Sequence, residues 1–220
     1  MPAAMLHDIP SFPTSAAQFR SLVKSVSILG TSATSSRQNS VSLPAPSRPV
    51  SALPDSKTQQ SQVISNVLAH VHIQLAAAEA AAAVDGVAYQ GSKEPEISIG
   101  DYFERLVKYA NNFSQDQPGP ASSGIRALLL GMQLVERSQI KITRLNVHRL
   151  FLTALLLAIK SHEDYPISHK FWGQVGGVSM EDLNKMERDL CAELKFTLHV
   201  RVEQYHALQS RFGVFSAMDV

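Results

Sequence analysis

The sequence predicts an all-α fold, and three stretches carry that prediction. From Leu150 to Ile159 ten residues carry no charge, and Thr153 is the only polar one. Leu183, Met186, Leu190 and Leu194 recur three and four apart, as do Leu128, Leu129, Met132 and Val135. That spacing puts each set on one face of a helix. A helix that is apolar all round must be surrounded by others, so the Leu150 stretch is expected at the centre of the bundle.

Composition sets the frame. The chain has 220 residues, 45% apolar and 18% charged, enough for one ordinary core and a tail. A net charge of +1 argues against nucleic-acid binding driven by bulk charge. Cys191 is the only cysteine, so no disulfide scaffold is expected and the thiol reads as a small core residue. The longest strongly apolar run is about half the length a membrane span needs. The first 40 residues hold Arg20, Lys24, Arg37, many serines and one acid, Asp8. That is a faint likeness to a mitochondrial presequence, but the segment reads as a flexible tail, which points to nucleus or cytoplasm rather than mitochondrion.

Taken in order, residues 1–60 are expected to be a disordered Ser/Pro-rich tail, because Pro44, Pro46, Pro49 and Pro54 interrupt any regular element. Residues 61–85 read as a helix, with Val63, Val67, His70, Val71 and Leu75 on one face and an alanine run after them. Residues 86–96 read as a polar linker with Gly91 and Pro95, and the domain boundary is placed there. A helix from about Ser98 to Phe113 turns Ile99, Tyr102, Phe103, Leu106, Val107 and Ala110 inward. After a Pro-Gly loop, a second runs from about Gly124 to Arg137. Thr143 or Asn146 can cap the central helix, which reaches about Ser161. A short helix from about Ser168 to Val175 carries Phe171 and Trp172 and is stopped by Gly176 and Gly177. Ser179 caps the next, with Asp182 at the capping-box position, and that helix ends near Lys195. Phe196, Leu198 and Val200 follow in an extended piece, and residues 201–220 form a last helix and tail.

Three segments together resemble a known family. They are ISIGDYFERLVKY, NVHRLFLTALLLAIK and VGGVSMEDLNKMERDLCAELKFTLHV. The last is the most specific, with its Gly-Gly, capping Ser, Leu-Asn and Met-Glu before a Leu-Lys-Phe-x-Leu-x-Val ending. The stretch resembles the cyclin box, and is most similar to the single-box cyclins of the phosphate-regulation type (P/U-type) of fungi, plants and protists. The resemblance implies one five-helix cyclin box over residues 97–200, with flanking helices. It also implies a partner, a cyclin-dependent serine/threonine kinase that the chain binds and activates.

The same resemblance implies the contact residues. The AxK motif places the kinase-facing lysine at Lys160, and the MExxL motif places the glutamate at Glu187. A lysine donates and a glutamate accepts, so together they can hold both polarities of a partner backbone. The same two residues also read as an internal salt bridge. Neighbours implied at the kinase face are Ser161, Glu163, Tyr165, Leu183, Asn184 and Leu190, although Leu183 also reads as plain core. Many cyclins have a bulky residue after the lysine, where this chain has Ser161. A structural pair is implied between Arg105 and Glu136, which also read as two solvated surface residues. The apolar recruitment patch of some cyclins is spoiled here by Glu104 and Lys108.

Other chemistries find no support. His162, Glu163 and Asp164 are adjacent in a turn and cannot converge on one metal. GQVGG lacks the strand before it and the lysine after it that a phosphate loop needs. No Ser, His and Asp arrangement argues catalysis. The expected protein is therefore a regulatory subunit with no enzymatic activity of its own, no cofactor, and no nucleic-acid, membrane or small-molecule partner. The runner-up reading is a cyclin-fold scaffold that binds a kinase without activating it.

Overall fold

In the computed structural model, residues 55–80, 87–164 and 167–214 are described. They form seven α-helices, one short 3-10 helix and no strand. The helices are α1 (Ser56–Ala80), α2 (Ile99–Ser114), α3 (Ser123–Ser138), α4 (Val147–His162), α5 (His169–Gly176), α6 (Met180–Glu193) and α7 (Val202–Phe212). The 3-10 helix is Val87–Tyr89.

The composition of α4 decides the arrangement. Every residue from Leu150 to Ile159 is buried, and Thr153 satisfies its hydroxyl by donating to the Arg149 carbonyl at 2.8 Å. Around α4 pack α2, α3, α5, α6 and the 3-10 helix. The closest pairing is with α3, where a Cβ on Gly131 would sit 3.1 Å from the backbone nitrogen of Leu155. A side chain there would push the two backbones apart by a few tenths of an ångström.

The helix ends follow local chemistry. Ser98, Ser168 and Ser179 each accept a backbone N–H three residues on, at 3.1, 3.3 and 3.0 Å. Asp182, expected to complete a capping box, instead turns its carboxylate to Arg149 at 3.3 Å. Gly177 closes α5 in the left-handed conformation at φ +69°.

Two expectations at the N-terminal side need correction. First, α1 begins at Ser56 rather than 61, because Asp55 accepts the Thr58 N–H at 2.7 Å and caps it. Gln60 is already part of the bundle, accepting from Asn111 Nδ2 and the Gly119 N–H, each at 3.1 Å. The tail reading of residues 1–54, like residues 81–86, lies outside the described residues. Second, the linker is not detached. Tyr89 is buried and donates its hydroxyl to the Met186 carbonyl at 3.3 Å, and Gly91 N–H bonds the Leu145 carbonyl at 2.9 Å.

The Arg105–Glu136 pair is also corrected. Glu136 Oε1 accepts from Arg211 Nη1 at 2.9 Å and lies 3.1 Å from His70 Nε2. Arg105 is exposed on α2, and among the described residues no ion pair includes it. The reason is competition in space. The helices α1 and α7, which flank the box, both pack on α3 and deliver His70 and Arg211 to Glu136.

Candidate functional site: the Lys160, Glu187 and His169 rim

Three helix segments meet at one edge of the bundle. Ile159 is buried, so the next residue, Lys160 in the last turn of α4, emerges at the rim. On α6, Leu183, Met186 and Leu190 point into the core, and Glu187 stands beside that apolar face with its side chain 15% exposed. The first residue of α5 is His169, held there by the Ser168 cap.

Their side chains converge. Glu187 Oε1 accepts from Lys160 Nζ, and Glu187 Oε2 lies 2.6 Å from His169 Nε2. Lys160 Nζ in turn lies 2.9 Å from the same His169 nitrogen. One carboxylate thus serves two basic groups that also touch each other. The cluster can donate through the lysine and accept through the carboxylate, which is what a backbone with free N–H and C=O groups requires.

The neighbours expected at this face divide. Ser161 is exposed, with its hydroxyl donating back to the Leu157 carbonyl at 2.8 Å. Asn184 is half-buried. Glu163 is engaged with Arg126 at 3.3 Å. Tyr165 lies outside the described residues. Leu183 and Leu190 are both completely buried on the same α6 face as Met186, which for Leu183 is the plain-core alternative and for Leu190 a correction.

Two residues escaped the sequence reading. His169 is one; nothing in its local spacing links it to residues 160 and 187. The other is Phe196, expected in an extended piece. Its φ is +56°, after Lys195 at +49°, and it is 77% exposed. Its N–H donates to the Cys191 carbonyl at 2.8 Å. Cys191 lies one turn beyond Glu187 on α6. Burial pushes its thiol pKa up, with Glu187 adding to that and Lys160 opposing it. Phe196 is therefore anchored at the C-terminal end of α6. A bulky residue held in the left-handed region and left in solvent is costly, and such features cluster at functional surfaces.

The remaining chemistry is sparse. Among the described residues no group of three His, Cys, Asp or Glu side chains could hold a metal. No described helix is long and apolar enough to cross a membrane. A cleft of about 340 Å³ between α1 and the end of α3 is lined by Gln74, Ala77, Ala78, Val135, Glu136 and Ile142, away from the rim.

Comparison with known proteins agrees with this architecture. The cyclin family model matches residues 31–198. Rice (Oryza sativa subsp. japonica) Cyclin-P4-1 is 34% identical over 122 residues, covering 56% of this chain and 54% of that protein. Arabidopsis thaliana Cyclin-U1-1 is 36% identical over 118 residues, covering 51% of each. Rice Cyclin-P3-1 is 32% identical over 117 residues, 53% of this chain and 47% of that protein. The chain spans about half the length of the curated relatives it matches.

Proposed function

The chain belongs to the cyclin family, and we propose that it is a regulatory subunit that binds and activates a cyclin-dependent serine/threonine kinase through Lys160 and Glu187. The observation that carries this reading is the placement of that pair. A lysine and a glutamate from helices α4 and α6 stand together at the rim of the box.

The mechanism follows from what such a kinase needs. Its regulatory helix carries a carboxylate that must reach the lysine that positions ATP. A subunit that binds the inward position of that helix better than the outward one shifts the equilibrium toward the active form. Lys160 donates to carbonyls at the start of the kinase helix, Glu187 accepts from its N–H groups, and Phe196 supplies apolar contact area. Chemistry stays with the kinase, and the chain contributes binding energy alone. Its location in the cell then follows the kinase.

The experiment is recovery of the tagged protein from its own cells, with kinase activity assayed on the recovered material. Wild type is compared with a variant carrying Lys160→Ala and Glu187→Ala. A kinase whose recovery and activity both depend on the pair supports the proposal. A kinase recovered with unchanged affinity and activity moves the interface elsewhere. A kinase bound but never activated supports the scaffold reading instead.

A further inference from the structure

The contacts of His169 contain a conflict that the paired charges alone do not. Its Nε2 lies 2.6 Å from a Glu187 oxygen and 2.9 Å from Lys160 Nζ. A ring nitrogen has either one proton or one lone pair. Carrying the proton, Nε2 donates to Glu187 and faces the ammonium group of Lys160 with no bond to it. Carrying the lone pair, it accepts from Lys160 and sets two acceptors against each other at Glu187. The two bonds cannot be made at once.

The shorter contact is with the charged acceptor, the geometry of a charge-assisted hydrogen bond. In that state Glu187 is steadied from behind and keeps lone pairs for a partner, since a carboxylate has about four acceptor positions. Lys160 keeps N–H groups that His169 does not use. In the other tautomer the imidazole accepts one Lys160 N–H, and with another given to Glu187 the lysine has a single donor left for a partner.

We propose that His169 is a positioning residue of the docking site, and that the position of its proton decides how many Lys160 N–H groups are presented to the kinase helix. The proposal rests on the kinase-binding reading of Lys160 and Glu187. Among the described residues, the ionisable side chains in contact with His169 are Lys160 from α4 and Glu187 from α6. The helix α2 meets α5 through Tyr109 and Phe113 on Phe171. The histidine is 25% exposed at the side chain, so its replacement should leave the fold intact.

The test uses the full chain and the kinase that co-purifies with it. His169→Leu should weaken binding roughly tenfold, the size of one charge-assisted bond. His169→Gln should stay within about threefold of wild type, because an amide offers Glu187 a proton and Lys160 an oxygen together. Nitrogen NMR of the ring should find Nε2 protonated in the free chain, with Glu187→Gln moving population to the Nδ1–H tautomer. Glu187→Lys separates the two readings. If Glu187→Lys loses the kinase while His169→Leu binds like wild type, this proposal is overturned and the kinase reading stands. If Glu187→Lys keeps the kinase, both fall. A free chain with the proton on Nδ1 overturns the proposal whatever the binding shows.

Discussion

Among the described residues, two clusters have the same make-up. At the rim, Glu187 joins Lys160 and His169; where α1 and α7 pack on α3, Glu136 joins Arg211 and His70. Each has one carboxylate, one long cation and one imidazole. Their surroundings differ. The helices α4, α5 and α6 already pack against one another through buried residues such as Leu156, Trp172, Leu183 and Leu190. The Glu187 cluster lies across a joint that the core has closed. The Glu136 cluster helps to make its joint. It links α1, α3 and α7, and is backed by the Arg211 guanidinium 5.0 Å over the Phe212 ring and by Asn66 Nδ2 donating to the Phe212 carbonyl at 3.0 Å. The same chemistry ties the flanking helices α1 and α7 to α3 in one place and spans the edge of α4, α5 and α6 in the other.

That contrast is open to direct attack. The largest expected effect is on binding. Glu187→Lys should lower kinase affinity on the order of a hundredfold or more, as for a central interface residue, with helicity unchanged. Loss of helicity on circular dichroism would assign Glu187 to the fold instead. Glu136→Gln should do the reverse, costing roughly 1–2 kcal/mol in denaturant unfolding while kinase recovery stays as in wild type.

A smaller effect is expected from a third histidine that belongs to neither cluster. His148 is buried at the start of α4, edge-on to Tyr102, with Nε2 3.0 Å from the Ile97 carbonyl. Burial holds its pKa below the ordinary 6.5, against that hydrogen bond and Glu94. The unfolded chain therefore takes up this proton first. Its contribution to stability is complete above 6.5 and declines as the pH falls from there toward the folded value. Unfolding midpoints measured at descending pH should fall less steeply in His148→Gln. The smallest effect belongs to Arg105→Ala, expected within about 0.5 kcal/mol of wild type, since Arg105 is exposed on α2. A larger loss would restore a structural role for that arginine.

Legibility in the sequence followed the range of the interaction. The central helix was readable because its apolar run is continuous over Leu150–Ile159. The ends of α2, α5 and α6 were readable because a capping serine acts on a backbone group three residues away. The start of α1 was missed because Asp55 caps it within a segment whose prolines suggest a tail. In the candidate site, the family motifs point to Lys160 and Glu187, which the fold brings together, but could not tell Leu183 and Leu190 on the core side of α6 from residues facing a partner. Both positions are apolar, and only the rotation of the helix against α4 separates them.

By itself the sequence determined the helices, their caps and the buried centre, because 3.6-residue periodicity and caps are local physics. Tertiary structure alone decided which charges meet. Arg211 reaches Glu136 across 75 positions of chain, and His169 reaches Glu187 across 18. No local rule ranks such partners. A side chain's ion pair is settled by which helix surfaces the core brings into contact, and the core is assembled by apolar burial that is indifferent to where the charges lie.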